Sequence, residues 1–122
     1  MRFLMMHRLD ERAPEAWNPS PEFIEKMGAF IQDSIDKGIL ITAEGVHPSA
    51  KGALVRKARG AAITATDGPF TEAKEVIGGF ALLNFTDRAQ AVEYTRRYAD
   101  LFDEVEVEVR QVVEFDELPA PA

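Results

Sequence analysis

The chain has 122 residues, enough for one domain with a single core, and its 14 Lys plus Arg against 21 Asp plus Glu give a net charge of −7, which argues against nucleic acid as a partner. It contains no cysteine, which excludes disulfides, thiolate nucleophiles and Cys-based zinc or iron–sulfur sites. No apolar run has the length of a membrane span, and His7, Arg8, Asp10 and Glu11 cut the opening apolar stretch too short for a signal-peptide core, so a soluble cytoplasmic protein without membrane partners is expected.

Residues 3–7 form a compact apolar run that reads as a first strand. Pro14, Pro19 and Pro21, with Trp17 and Asn18 between them, mark a loop. Ser20-Pro21-Glu22 then supplies a hydroxyl at the N-cap, proline at the first helical position and an acid in the first turn. Phe23, Ile24, Met27, Phe30, Ile31, Ser34 and Ile35 follow at the spacing of one helix face, and Gly38 is the expected stop.

Residues 39–43 read as a second strand that runs into the turn-prone Glu44-Gly45-Val46-His47-Pro48-Ser49. Lys51, Arg56, Lys57 and Arg59, closed by Gly60 and followed by the run 61–66, predict a hairpin near a sheet edge, with the cations on a solvated surface. Asp67-Gly68-Pro69 must turn the chain, because Pro lacks an N–H and pushes its predecessor to extended angles. A further strand leaves this corner through residues 79–85. Thr86-Asp87 and Gln90 open a second helix whose inner stripe is Ala91, Val92, Thr95, Tyr98, Ala99 and Phe102. Residues 105–115 alternate as a last strand, with Val105, Val107, Val109, Val113 and Phe115 on one face and Glu106, Glu108 and Arg110 on the other. Residues 116–122 form a tail.

This order predicts an α+β, ferredoxin-like βαββαβ fold with an extra hairpin, its two helices on one face of an antiparallel sheet. The other face meets water, a ligand, or the same face of a second copy.

Several stretches also carry a family likeness. Met27-Gly28-Ala29-Phe30, the run from Gly38 to Gly52, the run from Thr66 through Asp67-Gly68-Pro69-Phe70 to Phe80, and Glu108-Val109-Arg110-Gln111-Val112 resemble the DGPF branch of the YCII-related proteins. The likeness covers about residues 3–115, and residues 1–115 are taken as one domain. It implies a ferredoxin-like fold that dimerises face to face into an α+β barrel. It also implies a bacterial protein whose relatives are often encoded beside extracytoplasmic-function sigma factors, which makes such a regulator a candidate partner. More distant relatives have been proposed to act through a His and an Asp, and at least one removes chloride from a chlorinated hydroxyquinol. The helix histidine of those relatives falls on Met27 here, so the dyad is incomplete in this chain.

The residues with chemistry to offer are few. His47, close to the end of a strand, and Asp67, on a rigid corner, are the candidates for proton transfer, since imidazoles titrate near neutrality and a fixed carboxylate can act as base. Asp67 has a second reading, favoured by turn chemistry, in which it caps its own turn. His7 at the end of the first strand reads as packed and hydrogen-bonded, with a position facing the expected barrel as the alternative. Glu44, His47, Asp67, Glu106, Glu108 and Arg110 are the candidate ligand contacts. For Glu106, Glu108 and Arg110 a solvated outer face is an equal alternative. No clustered ligand set, phosphate loop or dinucleotide fingerprint is present in the sequence, and neither metal nor cofactor is expected. The leading expectation is a homodimer that binds a small polar or aromatic molecule between sheet faces. The alternatives are a lyase- or isomerase-like enzyme using His47 and Asp67, and a partner of a sigma factor.

Overall fold

The computed structural model describes residues 1–13, 18–70 and 76–119. The sequence elements placed at Pro14 and Trp17, at residues 71–75 of the corner, and at residues 120–122 of the tail lie outside the described residues. The described elements are β1 (Arg2–Leu9), α1 (Pro21–Asp36), β2 (Leu40–Gly45), β3 (Ala53–Arg56), β4 (Thr64–Asp67), β5 (Val76–Asn84), α2 (Arg88–Ala99) and β6 (Glu106–Gln111). Both helices begin where their capping chemistry predicts. The Ser20 side chain accepts from the Phe23 N–H at 3.1 Å, and Asp87 accepts from the Gln90 N–H at 2.9 Å. The Gln90 side chain reaches back one residue further than a capping box requires, accepting from the Thr86 N–H at 3.0 Å. Gly38, with φ of 71°, follows α1 as expected.

The main sheet has four strands in the order β2-β5-β1-β6, every neighbouring pair antiparallel. This is the ferredoxin-like α+β arrangement. The hairpin β3-β4 forms a separate two-stranded sheet, not an edge of the main one. Its residues from Lys51 to Asp67 are exposed throughout.

Register assigns each side chain to a face. Ala43, Ala81, Met5 and Val109 lie across one row, and Gly45, Gly79, His7 and Val107 across the next. With Phe3 and Leu83, these rows form the face that packs under the helices. The opposite face carries Glu44, Phe80, Met6 and Glu108 in one row, and Thr42, Leu82, Leu4 and Arg110 in another.

The core is Phe3, Met5, Ala81, Leu83, Phe85, Ala91, Tyr94 and Tyr98. Tyr94 belongs to it although it falls outside the expected stripe of α2. Its ring meets Phe30 and Phe85 at 5.0 and 5.2 Å, and its hydroxyl bonds Ser34 Oγ at 2.7 Å. Ser34 in turn donates to the Phe30 carbonyl at 2.9 Å, so this link between the helices is satisfied on both sides. The stripe of α1 is narrower than its spacing predicts, because Ile24 and Ile35 are more than half exposed. The last strand is shorter than its alternation predicts. Beyond Gln111 the chain has Val113 64% exposed and Phe115 89% exposed in a 3-10 turn, so these two side chains do not join the core.

Candidate functional site

β1 is half-buried where it carries His7 toward the helices, and β5 faces that point with Gly78 and Gly79. An imidazole can lie there only because those two residues have no side chain. A Cβ on Gly78 would stand 2.4 Å from Leu9 Cδ2 and 2.6 Å from His7 Nε2, and one on Gly79 would stand 3.1 Å from His7 Cε1. Neither spacing is compatible with unshifted neighbours. From the helix side, the Tyr98 ring lies end-on to the imidazole, 6.2 Å between centroids with 25° between planes, and Phe102 tilts against it at 5.8 Å. Phe102 also meets Phe23 of α1 at 4.9 Å.

His7 Nδ1 is hydrogen-bonded to the Tyr98 hydroxyl at 2.8 Å. Burial is the cause of both electrostatic shifts at this pair. It pushes the His7 imidazole below its ordinary value, and it raises the Tyr98 phenol, aided by neighbouring Tyr94, to about 12. The imidazole is therefore held neutral and the phenol protonated at neutral pH. Nε2 of His7 has no hydrogen-bond partner among the described residues. No buried side-chain nitrogen or oxygen among them lacks a partner, so Nε2 is not sealed in.

His7 opens onto a cleft of about 1120 Å³ between α1 and this end of the sheet. Phe23, Phe30, Tyr98 and Phe102 give the cleft aromatic walls, and Met27 also lines it. The cleft continues round the sheet end to Glu44, Phe80 and Glu106, with Asp103 and Glu104 alongside. Its volume and mixed lining suit a small organic molecule. Among the described residues, no three His, Asp or Glu side chains are placed to hold a metal ion.

The residues singled out from sequence fall into three places. Glu44 and Glu106 line the large cleft. Glu108 and Arg110 share the open sheet face with them, as strand alternation predicts. Arg8 donates to Glu108 at 3.0 Å, and Arg110 Nε stands 3.8 Å from the same carboxylate. His47 is exposed and lines a separate, smaller cleft of about 540 Å³ with Val46, Ser49, Phe70 and Ile77. Asp67, at the end of β4, is exposed and lines neither cleft.

The corner that holds Asp67 is tied down by its neighbours. The Gly68–Pro69 peptide bond is cis. A Cβ on Gly68 would collide with the Ser49 carbonyl oxygen, at 1.6 Å. The Phe70 N–H donates to Ser49 Oγ at 2.8 Å, and the Glu11 carboxylate accepts from both the Ser49 N–H, at 2.8 Å, and the Ser49 hydroxyl. Ser49 is buried at the centre of this clasp, which fixes the corner against the chain that follows β1.

Sequence reasoning left His7 out of the candidate site residues. The signal was the glycine pair inside a strand pattern, which marks a close approach to the backbone.

Residues 1–116 match the YCII-related domain. No curated protein matches the chain. The match spans nearly the whole sequence, and the chain belongs to the YCII-related family.

Proposed function

We propose that this YCII-related protein is a homodimer that holds a small polar or aromatic molecule in the cleft beside His7. The observation that carries this reading is His7, whose Nε2 has no partner among the described residues and whose ring lines an aromatic-walled cleft of about 1120 Å³. A polar atom so placed orients a ligand whose body is held by apolar contact. Support for the dimer comes from the open sheet face. Leu4, Met6, Phe80 and Leu82 form an apolar patch at its middle, with Phe80 37% exposed, and Glu44, Glu108 and Arg110 lie around it. A second copy laid on this face would cover the patch and bring its charges to the cleft mouth. The Thr66 to Phe80 motif supports the DGPF branch within the family.

Proton transfer is the second reading, favoured by the His7–Tyr98 pair. A neutral imidazole oriented through one nitrogen and open at the other can exchange a proton with a bound molecule. In this reading His7 acts directly on the ligand, and the exposed His47 and Asp67 stand outside the reaction.

Two measurements test the proposal. Native mass spectrometry of the purified protein is expected to give a dimer, and a clean monomer at micromolar concentration overturns that part. An NMR titration with a library of small aromatic compounds is expected to move the resonances of His7, Tyr98 and Phe102. Shifts confined to the β3-β4 hairpin or to the His47 cleft overturn the assignment of the site.

A further inference from the structure

The hydrogen bond between His7 and Tyr98 has a direction. Tyr98 is 9% exposed, and among the described residues its hydroxyl has one polar neighbour, His7 Nδ1 at 2.8 Å. A phenol carries one proton. If Nδ1–H were the donor, the Tyr98 O–H would be left with no acceptor among the described residues, at the cost of an unmade hydrogen bond on a largely buried side chain. Tyr98 therefore donates, Nδ1 accepts, and the neutral imidazole carries its own proton on Nε2. The group that His7 presents to the cleft is thus a hydrogen-bond donor.

The charges along the cleft are one-sided. Glu44, Asp103, Glu104 and Glu106 line it, whereas its Arg8 is already engaged by Glu108 at 3.0 Å. Such a surface attracts a cation and repels an anion, most strongly where water is displaced. The aromatic walls add to the preference, because ring faces attract positive charge.

Building on the small-molecule reading above, we propose that the cleft selects a flat aromatic molecule that offers an acceptor, such as a carbonyl oxygen or a ring nitrogen, to His7 Nε2–H. At its far end the molecule carries a protonated amine directed to the carboxylates. Anionic aromatics are excluded.

Calorimetric titration at neutral pH with para-aminomethylbenzamide, benzylamine and para-carboxybenzamide tests this inference, with NMR to locate each bound compound. The first has both acceptor and cation, the second lacks the acceptor, and the third replaces the cation with an anion. The first is expected to bind about tenfold more tightly than either of the others, the discrimination that one unmade buried hydrogen bond or one misplaced charge imposes. In His7→Phe its advantage over benzylamine is expected to disappear. In the double variant Glu44→Gln, Glu106→Gln its advantage over para-carboxybenzamide is expected to shrink. Equal or tighter binding of para-carboxybenzamide in the cleft overturns the selectivity while leaving the cleft a binding site. Binding by none of the three, together with no response from the aromatic library, overturns both readings. A nitrogen-resolved NMR spectrum of the wild-type imidazole gives a check that needs no variant. Protonated Nε2 and bare Nδ1 are expected, and the opposite tautomer overturns the proposal.

Discussion

At one end of the helix-covered face, Phe3, Leu83, Phe85 and Ala91 close on one another. At the other, Gly78, Gly79, His7 and Phe102 border a cleft of about 1120 Å³. The same strands and helices build both ends. What differs is the side chain that β5 offers at each level, Leu83 at the closed end and glycine at the open one, with Ala81 between them on the inner wall of the cleft. The helices differ in step. Near the closed end α1 is fastened to α2 through Ser34 and Tyr94 at 2.7 Å, whereas at its start it meets the turn after α2 through Phe23 and Phe102. A two-layer fold can thus hold its stability at one end and its binding volume at the other.

Substitutions can break this division. Leu83→Ala removes a side chain with no exposed surface and is expected to cost about 2–5 kcal/mol in urea unfolding, by lost burial plus a cavity. Binding in the cleft should change little in the same variant, and a parallel loss of affinity would show that the two ends are not separable. Gly78→Ala is expected to cost about 1–3 kcal/mol, because its methyl group must displace both Leu9 and His7. Here the order reverses, and ligand affinity should fall further than stability. Ser20→Ala removes the cap of α1 at the cleft end and is expected to cost roughly 1 kcal/mol, with faster amide exchange in the first turn of α1 and none at Ser34.

The smallest effect expected is proton-linked. The His7 imidazole lies below its ordinary value in the folded chain because burial disfavours its charged form. Between the two values the unfolded chain binds more protons than the folded one, so stability rises with pH there. The contribution of His7 is complete above the ordinary imidazole value of 6.5 and is lost as pH falls through the depressed one. Thermal midpoints measured across that interval should decline on acidification, and His7→Phe should make the decline shallower.

How much of this was legible follows the distance over which each cause acts. Ser20, Asp87 and Gly38 set helix ends through neighbours within a few residues, and the alternation from Glu106 to Gln111 assigns faces by period alone. These were readable. Past Gln111 the letters keep alternating at Val113 and Phe115, but the main-sheet register on β1 reaches only from Arg8 to Phe3, opposite Gln111. Pattern without a partner strand does not make a strand. His7 shows the opposite failure, since Tyr98 lies 91 positions away and only the fold brings the two together. His47 and Asp67 stood out because loops and corners advertise polar groups, whereas His7 was hidden in an apolar run.

The contact between His7 and Gly78 also sets a rule for sequences. The imidazole, together with the Leu9 side chain, fills the volume that a side chain at position 78 would take, so positions 7 and 78 compete for one space. Relatives that gain a side chain at 78 are expected to carry a smaller residue at position 7, and that exchange would pass the lining of the cleft from one strand to its neighbour. Ligand preference in the family could then diverge by paired replacement, with the sheet beneath unchanged.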